Sequence, residues 1–517
     1  MMRLEGFLPA FRRKARRVPD RVFAVFEGRP ITFSDLDRMS DALAAGLRRL
    51  GLARGDRVAV MLRNGPAALA VPFGLGKAGV LWVPVNVQQR GDSLRHVLEH
   101  SAPRAVLAEA DLVGAIRESG AGTGAALLAH GDPGAPNRLE PLFAEGPFDE
   151  AEPAAEDDFA VAYTSGTTGR PKGVIVSHGM LRLAGEGVAL VSAARDGDVM
   201  LVWEPLYHIG GSQMIVLPLI RDVTLAMVDR FSAGRFWQQA RDAGATHIHY
   251  LGGILQILLK QPPGALDRAH GVRIAWGGGC PEDVWRPFEE RFGVEIRECY
   301  GMTEASSITT YNADRAVGTV GKPVPWFSVA LAAPDGQPAA AGGRGEILVR
   351  TSLPGAVFRG YFRDPAATGK ALRDGVLHTG DLGSFDARGN LVFHGRMTDN
   401  VRCRGENVSA WEVEHVAATH PAVEECAMIG VAAEIGEQDI KLFVAPKPGA
   451  VVDAAALSAW LGERLAPYQN PRYIAVVETF ERTPSQRIVK RKLSPRTDDC
   501  WDRLAAADSG AVSAARR

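Results

Sequence analysis

The chain has 517 residues, too many for one hydrophobic core, so two or three domains are expected. Apolar residues make up 46% and the formal net charge is −1, which excludes a global field built for nucleic acid or an anionic membrane. Cys280, Cys299, Cys403, Cys426 and Cys500 are scattered without metal-ligand spacing, which implies reduced thiols in a cytoplasmic protein.

The N-terminus has no apolar run followed by a cleavage site, so no secretory signal is expected. The basic run Arg12, Arg13, Lys14, Arg16, Arg17 reads as a solvated helix face. Ala67 to Val87 is strongly apolar but carries Lys77, Pro72 and Pro84, which suits a buried helix and then a buried strand. From there strands and helices alternate. Strands are expected at Phe159–Tyr163, Val199–Trp203, Val223–Val228, Thr246–Tyr250, Val272–Trp276 and Val294–Glu298. Helices are expected at Gly179–Val191, at Ser232–Ala243 with Ser232 as N-cap, and at Pro281–Phe292 closed by Gly293. This alternation predicts an α/β fold with a mostly parallel sheet. After about residue 325, short strands with Gly, Pro and Asp suggest a small β-rich region up to Arg396. In the tail, Ser409 and Glu412 have capping-box spacing before a helix that Pro421 closes. Strands at Cys426–Val431 and Tyr473–Val477 flank a helix near Ala454–Leu465, which reads as a small α+β domain.

The segment Tyr163-Thr164-Ser165-Gly166-Thr167-Thr168-Gly169-Arg170-Pro171-Lys172-Gly173 follows a predicted strand. Its glycines let backbone N–H groups converge, its hydroxyls add donors, and Lys172 adds a positive charge, as a polyphosphate requires. The spacing rules out the P-loop motif, which needs four residues between its glycines and then Gly-Lys-Ser/Thr. Three further loops follow predicted strands: Pro205-Leu206-Tyr207-His208-Ile209-Gly210-Gly211, Gly277-Gly278-Gly279-Cys280-Pro281 and Tyr300-Gly301-Met302-Thr303-Glu304. Open α/β sheets gather ligands at such loops.

These stretches, with His378-Thr379-Gly380-Asp381 and Gly395-Arg396-Met397-Thr398-Asp399, resemble the adenylate-forming superfamily of AMP-binding enzymes in its acyl-CoA synthetase branch. The resemblance runs from Pro19-Asp20 to about Lys492. It implies a large N-terminal adenylation domain over 1–398 of layered α/β sheets with a small β-rich subdomain, and a small mobile α+β C-terminal domain over 399–517 with its hinge at Asp399. It implies ATP, Mg²⁺ and CoA as partners of a small carboxylic acid. Thr164, Ser165, Gly166, Thr167, Thr168, Gly169 and Lys172 would hold phosphates. Gly278, Gly279, Tyr300 and Gly301 would meet adenine, Thr303 the α-phosphate, Glu304 the metal, Asp381 the ribose, and Arg396 the ribose or a phosphate. His208, Gly211, Gly252, Trp276, Gly278 and Met302 would line the acyl pocket, and Gly405 would pass pantetheine.

The expected reaction is acid–CoA ligation through an acyl-adenylate, in a monomer or homodimer. Loading of a carrier-protein phosphopantetheine and silent binding of acyl or nucleotide ligands stand as alternatives. The tail departs from the family pattern: Thr483-Pro484-Ser485-Gln486-Arg487 has Arg where relatives carry a lysine, and Lys490 competes for that role. Tyr250-Leu251-Gly252-Gly253, Gln261-Pro262-Pro263 and the Arg487 tail look most like crotonobetaine/carnitine-CoA ligases. The acid is left open between a carnitine relative and a medium-chain, aromatic or alicyclic acid; Trp203, Tyr207 and Trp276 fit an aromatic cage for a quaternary ammonium and fit core packing equally well.

Overall fold

Alternating apolar segments pair as the sequence predicts. The computed structural model describes residues 4–122, 124–135, 137–144, 146–164, 171–397, 400–403, 406–433, 438–483 and 487–505. The chain forms two units: Met1–Ala330, Leu348–His378 and Asp386–Leu391 make the first, and Leu331–Ile347, Thr379–Phe385 and Val392–Arg517 the second.

The first unit holds a nine-stranded and a six-stranded sheet. In the larger sheet Glu295–Tyr300, Ile274–Gly278, His247–Leu251, Val199–Val202, Thr224–Met227 and Val22–Phe26 run parallel in that spatial order. One face is covered by the helix Glu282–Phe292, whose Trp285, Phe288 and Phe292 pack with Trp237, Tyr250 and Trp203. Gly293 closes that helix at φ 70, a left-handed conformation that suits a residue without Cβ. The other face receives the helix His178–Ser192, whose first turn is capped by Ser177 accepting from the Met180 N–H. In the smaller sheet, strand Asp158–Thr164 turns back into Lys172–Ser177, an antiparallel pair with Thr164 opposite Lys172.

Several expectations are corrected. Lys14 is not part of a solvated face: it is buried, with its Nζ donating to the Pro218 carbonyl at 2.6 Å and pairing with Asp222 at 2.7 Å. The helix expected from Ser232 covers only Phe236–Asp242, with Arg235 at its N-cap. Lys172–Ser177 is a strand that the Gly- and Pro-flanked sequence concealed. The buried helix is Pro66–Lys77, and Lys77 is satisfied by Asp37 at 2.5 Å and Asp41 at 2.7 Å.

In the second unit, Val423–Ala432, Gln438–Pro446, Tyr473–Val476 and Trp501–Asp502 form a four-stranded sheet beside helices Ala410–Ala418 and Ala454–Gly462. Glu412 pairs with Arg344 and accepts from Gln469 at 2.8 Å. The fully buried Lys441 ammonium donates to the Arg496 carbonyl and to Asp499, each at 2.6 Å. Among the described residues no helix is long and apolar enough to cross a membrane.

Candidate active site

Lys172 opens the return strand of the smaller sheet. The segment 360–362 runs beside that strand: the Ile175 N–H donates to the Gly360 carbonyl, the Phe362 N–H to the Gly173 carbonyl, and Val174 pairs with Tyr361. This pairing aims the Tyr361 ring at Lys172, whose Nζ stands 5.0 Å from its centroid. The Tyr361 hydroxyl donates to Glu304 Oε1 at 2.8 Å. Three distant segments therefore converge on one tyrosine, which sequence reasoning missed. Its only signal was an aromatic within Arg359-Gly360-Tyr361-Phe362.

Glu304 is 6% exposed and sits in the short turn Thr303–Ala305 that follows strand Glu295–Tyr300. The Phe358 N–H donates to its carbonyl at 2.8 Å. Tyr300 and Thr303 are buried beside it. Gly301 has no room for a side chain, because a Cβ would overlap the Ser307 carbonyl oxygen. A buried carboxylate with a neutral donor on one oxygen suits Mg²⁺, which keeps several waters and phosphate oxygens and needs few protein ligands. Among the described residues no cluster of three His, Cys, Asp or Glu stands ready to bind a metal by itself.

The triple-glycine segment is shaped by a residue the sequence did not reveal. Glu298 is buried and accepts from the N–H groups of Gly279 and Cys280 and from the Tyr250 hydroxyl. The amides at this helix start thus face a carboxylate of the protein itself. At Gly277 a Cβ would overlap the Tyr250 carbonyl oxygen, and at Gly279 it would press on the Gly252 backbone at 3.2 Å. Burial pushes Glu298 up to about 7, against the pull of its three donors. Burial, with Glu298 nearby, also raises the Cys280 thiol, and burial, with Glu298 and Glu204, raises Cys299, so neither is a ready nucleophile.

The raised Glu298 value carries a stability consequence. Between pH about 4.5 and about 7 the folded chain keeps a proton that the unfolded chain has lost, so stability falls as pH rises through that window. Above it the full ionisation penalty is present. Glu298→Gln removes this titration. Urea unfolding at pH 5 and pH 8 should show the variant gaining about 2–3 kcal/mol relative to the parent across that interval. An unchanged difference would mean that Glu298 is ionised throughout.

His208 precedes the short helix Ile209–Ser212, and its carbonyl accepts from the Gly211 and Ser212 N–H groups. Met302 and Gly252 are half-buried, while Trp276 is 1% exposed and stacks on His249 with centroids 4.0 Å apart. A Cβ on Gly211 would overlap the Pro205 carbonyl oxygen, so this glycine serves the loop's backbone. Gly211→Ala should cost about 1–3 kcal/mol in stability and lower activity on small and large acids alike, as a thermal melt and an acid-size series would show. Loss confined to large acids would place its Cβ in the pocket instead. Of the two readings of Trp203, the structure bears out core packing: it lies against Phe231, and its Nε1 donates to the His249 carbonyl at 2.8 Å.

In the second unit Asp381 is buried and stands 3.5 Å from Arg396 Nε. Crowding around the guanidinium lowers the Arg487 pKa, Arg396 adds repulsion and Asp381 attracts, although the residue as a whole is exposed. Lys490 is 2.8 Å from Glu414. Ser165, Gly166, Thr167, Thr168, Gly169, Asp399 and Gly405 lie outside the described residues.

Comparison with known proteins adds independent findings. A family model described as AMP-binding enzyme matches residues 11–362, and one described as AMP-binding enzyme C-terminal domain matches residues 412–487. A crotonobetaine/carnitine–CoA ligase of Shigella dysenteriae is 31% identical, with 86% of this chain and 89% of the relative covered. A sulfoacetate–CoA ligase of Cupriavidus necator is 31% identical over 93% of this chain and 96% of its own length. The crystal structure of ATP-bound MatB from Rhodopseudomonas palustris superposes with a TM-score of 0.85 at 27% identity, covering 94% of this chain and 97% of that one.

Proposed function

This chain belongs to the AMP-binding enzyme family, and from that premise we propose that the loops around Tyr361 activate a small organic acid. The protein is an ATP-dependent acid–CoA ligase that works through an acyl-adenylate. The acid's carboxylate attacks the α-phosphorus of ATP and the bond to pyrophosphate breaks. The CoA thiol then attacks the acyl carbon, loses its proton and displaces AMP.

The observation that carries the site assignment is the meeting of Lys172 and Glu304 at Tyr361. Both reactants of the first step are anionic, so the site must neutralise charge and hold them in line. Lys172 supplies a cation at the phosphates, with Thr164, Ser165, Gly166, Thr167, Thr168 and Gly169 as the surrounding donors. Thr303 meets the α-phosphate. The Glu304 carboxylate would hold Mg²⁺, which when bound would supply positive charge to neutralise the polyphosphate. Gly278, Gly279, Tyr300 and Gly301 form the adenine surface, and Asp381 with Arg396 takes the ribose. Asp399 is the hinge between an adenylation domain over 1–398 and a domain over 399–517, and Gly405 lines the thiol's path. The acyl pocket comprises His208, Gly252, Trp276, Gly278 and Met302, with Gly211 shaping its loop. Five cysteines, with no disulfide among the described residues, suit a reducing cytoplasm.

The test is ATP–pyrophosphate exchange over a panel of carboxylic acids, followed by CoA-dependent release of AMP. At least one acid should support both. A folded protein that exchanges with no acid would overturn the reading.

A further inference from the structure

We propose that the buried Glu204–His249 pair is a polar end wall of the acyl pocket, selecting short carboxylic acids whose far end donates a hydrogen bond. The inference rests on the acid-activating role proposed above. Glu204 is 3% and His249 5% exposed, and His249 Nδ1 pairs with Glu204 Oε2. Stability does not explain such a pair, because apolar residues of similar volume stabilise a core at least as well.

Its position does. His249 lies beside Trp276 in register on the neighbouring parallel strand and stacks on it. The Glu204 carboxylate lies against Gly210, between His208 and Gly211, where an added Cβ would stand 2.8 Å from Oε1. The pair thus joins the two walls assigned to the acyl pocket. His249 Nδ1 lies against Oε2 without a hydrogen bond of regular geometry, and among the described residues nothing donates to Oε1. A buried carboxylate oxygen demands a donor. A hydroxyl or a protonated amine at the end of the acid supplies one. A quaternary ammonium, which has no N–H, does not. Trp276, itself 1% exposed, leaves no open surface on its side of the pair, so the acid that reaches the pair is short.

The experiment measures kcat/KM for pyrophosphate exchange with butyrate, 4-hydroxybutyrate and 4-aminobutyrate, using the full chain. A donor-bearing acid should exceed butyrate by about 10- to 100-fold, and whichever leads identifies the donor. Glu204→Leu should abolish that preference. The double variant Glu204→Leu, His249→Leu removes both partners together, which spares the fold, and should favour butyrate. Equal rates on all three acids in the parent, or a preference that survives in the double variant, would overturn the subsite and leave the ligase reading standing. Exchange with no acid at all would overturn both.

Discussion

Replacing Glu304 with glutamine should lower adenylate formation by about 10²–10³-fold and leave the unfolding temperature unchanged. The amide keeps the size of the side chain and can still accept from the Tyr361 hydroxyl, so the packing around residue 304 survives. What is lost is a negative charge in a buried position, where a hard cation bridging phosphates needs an oxygen ligand. Pyrophosphate exchange measured over a range of Mg²⁺ concentrations checks this. The variant should need more Mg²⁺ and remain slow at saturation. Turnover at the parent rate throughout would remove Glu304 from the metal's surroundings.

The second large effect concerns Arg487. Arg487→Ala should slow adenylation by about 10²-fold or more and leave thioester formation from pre-made acyl-adenylate nearly intact. The guanidinium is always charged and offers a planar fork suited to two oxygens, so it can span a carboxylate and a phosphate where relatives use an ammonium. Its neighbours bear on the assignment: Arg396 and Asp381, both assigned to the ribose, act on its charge. Lys490 is engaged by Glu414 instead. Lys490→Ala should therefore change neither half-reaction much. Measuring each half-reaction separately decides the matter. The opposite pattern would move the role to Lys490, and no effect from either change would mean that this segment does not assist the first step.

The parts of the site written in consecutive residues were legible from the sequence. Tyr300 to Glu304 and the triple glycine announce themselves because close backbone approach demands glycine at particular places in a row. The strands leading into them were legible as short apolar runs, and Pro281 and Gly293 marked the ends of a helix. Residues whose role comes from a partner far along the chain were not legible. Tyr361 looks like any aromatic until strand pairing turns it toward Lys172 and Glu304. Glu298 looks like a surface acid, yet it fills the amides of Gly279 and Cys280. Glu204 and His249 carry no local pattern. Lys14 reads as part of a solvated face, yet it, Lys77 and Lys441 are each buried against carboxylates that only the tertiary fold supplies.

The convergence on Tyr361 bears on how this enzyme comes into being. Lys172, Glu304 and Tyr361 are laid down in that order during synthesis, so a nascent chain that ends before residue 361 has Lys172 and Glu304 without the tyrosine that links them. Turnover therefore requires the first unit to be complete through residue 361, as well as the second unit to which Asp381, Arg396 and Arg487 belong.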